Sequence, residues 1–170
     1  TTVAHFGTLN ILVNNAGILQ LGSVDEFSLE DFDRMFAVNV RATFAAAKAA
    51  SAVMRSGDRI ISVGSVVAQR SAFPGSSVYS MTKAAIAGMI RGLAIDFAPR
   101  GITVNNVQPG PTSTDMNPAD APHADLIKSL VPLGRTGTAD EIAGMVAYLA
   151  SEEAAFVTGA SLSIDGGYLA

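Results

Sequence analysis

The segment L-N-I-L-V-N-N-A-G, Leu9 to Gly17, decides how this chain is read. Leu9–Val13 has the composition and length of a buried strand, and the small polar residues Asn14–Gly17 turn it at once. The same form recurs downstream. Arg59–Val63, Ile102–Val107 and Ala160–Ile164 read as further strands, and segments of helical period separate all four. Strands alternating with helices imply right-handed crossovers and a parallel sheet, hence an α/β architecture.

Ser28 opens the first long helix, with Asp31 at capping-box spacing and Leu29, Phe32, Met35 and Phe36 at helical intervals. That helix is expected to run to about Met54 with an interruption. A second spans roughly Val78–Ala98, with Ile86, Met89, Ile90, Leu93 and Phe97 inward, and Pro99-Arg100-Gly101 ends it. A short helix is expected near Ala124–Leu130, and Thr138 with Glu141 caps another running through Leu149. The Met and Phe stripes are read as core.

In a parallel sheet, ligands bind beyond the carboxyl ends of the strands. Three places qualify: the Asn14–Gly17 turn, the segment from Gly64 to Tyr79, and the loop Q-P-G-P-T-S-T-D-M-N-P after the third strand. Tyr79 and Lys83 follow the second of these, four residues apart in S-V-Y-S-M-T-K-A-A-I and so on one helix face. Tyrosine ordinarily keeps its proton to about pH 10. A cation beside the phenol favours the phenolate and would make it an acid/base near neutrality. The plain alternative is a packed tyrosine beside a solvated lysine.

Composition narrows the rest. Of 170 residues, 49% are hydrophobic and 15% charged, which suits one compact domain, and no apolar run reaches membrane-spanning length. The absence of cysteine excludes thiolate catalysis and Cys-based zinc sites. A formal charge of −4 with no basic cluster gives no footprint for nucleic acid. No clustered His/carboxylate spacing suggests a metal, and no G-x-S-x-G or phosphate-loop pattern occurs. His5 and His123 read as surface or loop residues, and Asp140 and Glu141 as helix-start acids. A cytoplasmic location is the default expectation.

The ordered set of motifs resembles the short-chain dehydrogenase/reductase family, of the ketoacyl-carrier-protein-reductase-like type. It comprises N-N-A-G at Asn14–Gly17, V-N-V at Val38–Val40, V-G-S at Val63–Ser65, Y-S-M-T-K at Tyr79–Lys83, R-G-I-T-V-N at Arg100–Asn105, P-G-P-T-S-T at Pro109–Thr114 and S-I-D-G-G at Ser163–Gly167. The resemblance implies a Rossmann-like doubly wound sheet and an NAD- or NADP-dependent oxidoreductase acting on a small carbonyl or alcohol substrate. It implies Tyr79 as general acid/base, with Lys83 lowering its pKa and holding the nicotinamide ribose. Ser65 would hydrogen-bond the substrate oxygen, and Asn39 would hold a water that links Lys83 to solvent. Asn14, Ala16 and Gly17 would line the adenosine side, while Pro109, Gly110, Thr112 and Thr114 would meet the carboxamide. A homodimer or homotetramer through the two long helices is expected, helped by the Ala-rich face at Ala42–Ala52. Taken singly, Asn39 reads equally as a solvent-facing polar residue, Ser65 as a strand-end cap, and Gly17 and Gly110 as turn residues with unusual dihedrals.

Departures from the family set further expectations. The Gly-rich dinucleotide fingerprint is not in this chain, and Leu9–Val13 corresponds to the family's fourth strand. Residues 1–170 are therefore read as a single partial domain, family strands four to seven, with His5-Phe6-Gly7 as the tail of a preceding helix. Leu9–Val13 would then be an exposed hydrophobic edge. Thr112 stands where the family usually has Ile or Val, and the Ser65–Tyr79 loop is about one residue longer than in its shortest members. Gln69, Arg70, Met116 and Asn117 are the expected substrate contacts. A second reading comes from Gln108–Ala119, which resembles a subgroup with a cyclic-di-GMP-binding member: a nucleotide-binding regulatory module with little turnover.

Overall fold

The computed structural model describes residues 2–71, 73–118 and 120–170. Helix α1 (Thr2–Phe6) turns at Gly7 into β1 (Ile11–Asn14). The first long helix is broken into α2 (Leu29–Phe36), one π-helical turn (Ala37–Arg41) and α3 (Ala42–Ser51). Then come β2 (Arg59–Val63), a 3-10 turn (Val66–Ala68), α4 (Ser77–Phe97), β3 (Thr103–Pro109), α5 (Ala124–Ser129), α6 (Ala139–Ala150) and β4 (Ser161–Ile164). The expected elements are present, but the first long helix stops at Ser51 instead of Met54, and Met54 packs in the core beyond its end.

The four strands form one parallel sheet in the order β1-β2-β3-β4. On one face, Ile60 and Val104 meet Ala47 and Ala50 of α3 and Ile86, Ile90 and Ala94 of α4. On the other, Ile61 and Val107 meet Leu149 of α6, with Ile142, Met145 and Val146 beside it. The sheet is thus covered on both sides, and β2 (R-I-I-S-V) is buried along nearly its whole length. Each fully buried Ile or Leu here stabilises the fold by roughly 1.5–3 kcal/mol. Ala47 and Ala50, expected to serve contacts between subunits, are used in this core instead.

Edge and ends follow from local chemistry. Strand β1 lies at the sheet margin, with Ile11 44% and Val13 42% exposed, while Leu12 packs inward. After α4, Gly101 takes the left-handed conformation (φ 68°) at the helix end, as Pro99-Arg100-Gly101 suggested. Buried Asn105 stitches β3 to the approach of β4, its Nδ2 donating to the Val157 carbonyl (2.7 Å) and its Oδ1 accepting from Ala160 N–H (3.1 Å). No described helix is long and apolar enough to cross a membrane.

The capping box of α6 is complete. Thr138 Oγ1 accepts from Glu141 N–H at 3.2 Å, and Glu141 accepts from Thr138 N–H at 2.9 Å. Replacing Thr138 by Ala should cost about 1 kcal/mol in urea unfolding. Unchanged stability would mean that the Arg135–Glu141 ion pair alone holds this helix start.

Candidate active site

Three chain segments meet where the strands end. Asn14, the last residue of β1, donates through Nδ2 to Ser62 Oγ (3.3 Å) and joins the ends of β1 and β2. Beyond β2, Ser65 is extended and its Oγ accepts from Val67 N–H (3.3 Å), capping the 3-10 turn. The same hydroxyl lies near Tyr79, in the first turn of α4, and lowers the phenol's pKa. The cap and the contact to Tyr79 coexist.

Lys83 lies one turn below Tyr79 and is 5% exposed. Its ammonium donates to the Val63 carbonyl (3.0 Å) and stands 5.6 Å from the centre of the Tyr79 ring. Burial pushes the Lys83 pKa down to about 8. Burial also raises that of Tyr79, partly offset by the Ser65 hydroxyl. In the protein by itself, burial outweighs the influences that lower the tyrosine pKa. Desolvation disfavours both charged forms, and the ammonium is directed to a backbone carbonyl.

Asn39 falls in the π-helical turn that interrupts the first long helix, and it is 1% exposed. This corrects the solvent-facing alternative. Its Oδ1 accepts from Ile18 N–H (2.8 Å), and its Nδ2 donates to the Ile18 carbonyl (2.9 Å) and to Thr82 Oγ1 (3.1 Å). Thr82 in turn donates to the Tyr79 carbonyl (2.8 Å). One side chain thus clamps the segment after β1 to the turn of α4 that bears Tyr79 and Lys83. π-Helical turns recur at functional sites because they re-aim a side chain out of the helical register.

Gly110 serves a close approach, and Gly17 borders the space between Asn39 and Lys83. Neither Gly17 nor Gly110 has a left-handed backbone, which corrects the unusual-dihedral alternative. A Cβ on Gly17 would lie 3.4 Å from Asn39 Oδ1 and 3.6 Å from Lys83 Nζ. A Cβ on Gly110 would lie 2.6 Å from Asp165 Cα. Gly17, Asn39 and Lys83, far apart in sequence, are thereby brought around one small space.

Other expected residues lie at the rim. Pro109 ends β3, and Thr112 Oγ1 donates to the Gly110 carbonyl (2.9 Å), closing the turn. Thr114 pairs with Asn117 and is exposed, and Ala16 is exposed on its turn. The contacts of Thr112 and Thr114 hold their own loop together. Met116 is 53% exposed, Asn117 donates to the Thr112 carbonyl (3.1 Å), and Ala119 lies outside the described residues. Arg70 is engaged by Tyr168. Its guanidinium donates to the Tyr168 carbonyl (2.6 Å) and stacks 5.0 Å over that ring. His5 and His123 are exposed, and among the described residues no group of three His, Cys, Asp or Glu could hold a metal.

A family model described as enoyl-(acyl carrier protein) reductase matches residues 1–169. The cyclic-di-GMP-binding biofilm dispersal mediator protein of Escherichia coli (strain K12) is 49% identical over 166 residues, 98% of this chain and 70% of that protein. A short-chain dehydrogenase/reductase from Serratia marcescens superposes with a TM-score of 0.96 at 55% identity, over 99% of this chain and 69% of that one. The chain belongs to the short-chain dehydrogenase/reductase family. A Burkholderia cenocepacia short-chain dehydrogenase solved in complex with NADP gives 0.97 at 48% identity, with 99% and 69% covered.

Membership and burial together define a pH signature for this short-chain dehydrogenase/reductase chain. Lys83 has its folded pKa below its unfolded value, so the unfolded chain binds more protons between about pH 8 and 10.5. Its contribution to stability therefore rises with pH through that window. Tyr79 is shifted the opposite way and takes stability away once pH exceeds its ordinary value of 10.0. Urea unfolding of the protein without cofactor should show stability climbing from pH 8 towards 10. Lys83→Met should flatten the climb; an identical slope in that variant would contradict the assignment.

Proposed function

We propose that the chain is an NAD(P)-dependent oxidoreductase that reduces a carbonyl, or oxidises an alcohol, by hydride transfer with Tyr79 as acid/base. The observation that carries this reading is the convergence, from three separate elements, of half-buried Ser65 and Tyr79 with buried Lys83 and Asn39, Asn39 being tied through Thr82 to the Tyr79 carbonyl. The chemistry of the donors fits a nicotinamide nucleotide. An ammonium has three N–H donors, and Val63 takes one, so two remain for ribose hydroxyls. The missing Cβ of Gly17 leaves the approach to Lys83 clear.

In this reading Lys83 and Tyr79 hold the nicotinamide ribose, and Asn14, Ala16 and Gly17 line the adenosine side. Pro109, Gly110, Thr112 and Thr114 form the wall that meets the carboxamide. The bound nicotinamide supplies the hydride. Ser65 Oγ donates to the substrate oxygen, and a donor placed on a developing oxyanion is worth about 10²–10³ in rate. Tyr79, kept protonated by burial, gives its proton to the same oxygen as the alkoxide forms. Lys83, next along the helix, then stabilises the phenolate. The Asn39 carbonyl accepts from Thr43 Oγ1 (2.9 Å) and has a second lone pair for a water leading protons back to Lys83.

The substrate is a small molecule, with NADP supported by the Burkholderia complex and NAD retained as the alternative. Assembly as a homodimer or homotetramer belongs to the same reading. It is supported by Phe44 of α3 and Ile95 of α4, 50% and 75% exposed, on the outer side of the two helices.

A second reading is favoured by the Escherichia coli relative named for cyclic-di-GMP binding: a regulatory module of the same fold with little turnover. Turnover separates the two. Tyr79→Phe should lower kcat for carbonyl reduction by about 10²–10⁴-fold and weaken NADPH binding far less, because Lys83 keeps its hold on the ribose. A wild-type protein that binds cyclic-di-GMP and turns over no carbonyl, with Tyr79→Phe binding equally well, would favour the second reading.

A further inference from the structure

The 3-10 turn that carries Ser65 is tied to strand β3 at both of its ends. Before the turn, Gly64 N–H donates to the Val107 carbonyl (2.7 Å). After it, Gln69 closes the turn through its N–H to the Val66 carbonyl (2.9 Å). The Gln69 side chain then reaches across, and its Nε2 donates to Gln108 Oε1 and, at 3.4 Å, to Ser163 Oγ of β4. Gln108 is 1% exposed, between Val107 and the Pro109-Gly110 pair. A buried amide oxygen is ordinarily paired, and Gln69 is the partner here. Neither glutamine touches Tyr79 or Lys83 directly among the described contacts.

We infer that Gln108 and Gln69 are positioning residues whose side-chain hydrogen bond holds the Ser65 turn in register with the strand end bearing Pro109 and Gly110. This rests on the hydride-transfer reading above. Val107 fixes where the turn begins, and Gln108 fixes where it finishes. Without the second tie, Ser65 keeps its backbone anchor at Gly64 but is free to tilt away from Tyr79. The pair acts through Ser65, so its loss changes chemistry more than binding. Small misplacements of a reacting group carry large rate penalties.

The test uses the natural full-length protein, ethyl acetoacetate as probe carbonyl and NADPH as reductant. Gln108→Leu, and Gln69→Ala at the exposed end of the pair, should each lower kcat about tenfold with KM changed less than about twofold. In a Ser65→Ala background, the same substitutions should add no more than about twofold, because residues acting through one contact are not additive. The ring-carbon NMR shift of Tyr79, which reports its hydroxyl hydrogen bond, should move in Gln108→Leu the way it moves in Ser65→Ala. A full tenfold loss repeated in the Ser65→Ala background would overturn the inference in favour of general loosening. So would a wild-type Tyr79 shift in Gln108→Leu. If Ser65→Ala itself leaves kcat unchanged, Ser65 has no role in turnover and the reading beneath fails, while the NMR shift still decides whether Gln108 positions Ser65.

Discussion

A buried asparagine side chain must fill its hydrogen-bonding positions, and Asn39 fills them from two directions at once. Both peptide groups of its ring with Ile18 come from the segment after β1, and its remaining donor goes to Thr82 on α4. Breaking such a clamp leaves backbone polar groups of Ile18 unpaired, at roughly 1–3 kcal/mol for each buried group. The clamp determines the distance between the Asn14–Gly17 turn and the Tyr79–Lys83 face. It also explains the π-helical turn, since a regular helix would carry residue 39 around to another direction.

Stability and chemistry pull against each other at Lys83. Burying an ammonium at 5% exposure disfavours its charge, and among the described residues the carbonyl of Val63 accepts from it. A fold selected for stability alone would place an apolar side chain there. Tyr79 bears the mirror cost: burial raises its pKa and disfavours the phenolate. The two hydrophobic clusters on either face of the sheet offset this strain and hold β2 and β3 rigid beneath the site.

Much of this was legible from the chain. Arg59–Val63 was read to the residue because an apolar run flanked by polar turns leaves little freedom in a doubly covered sheet. Thr138 and Glu141 were legible because capping is a local hydrogen-bond pattern. What escaped depends on distant partners. The neighbours of Gly17 are Asn39 and Lys83, and that of Gly110 is Asp165, so local dihedral reasoning could not describe either position. The pairing of Gln69 with Gln108 spans 39 positions and has no periodic signal. The hold of the Tyr168 carbonyl and ring on Arg70 spans 98 positions and likewise leaves no local signal. The proton affinity of Tyr79 turned on burial, which neighbouring residues in sequence do not report.

The central claim is that these residues perform hydride transfer at a carbonyl. Its most direct test is to incubate the natural full-length protein with a carbonyl compound and NADPH deuterated on the nicotinamide ring, and to follow the label by mass spectrometry. The account predicts deuterium on the former carbonyl carbon of the alcohol product, in one stereochemical sense, and none there when Tyr79 is replaced by Phe. Product without deuterium, or no product across a broad panel of carbonyls, would contradict it.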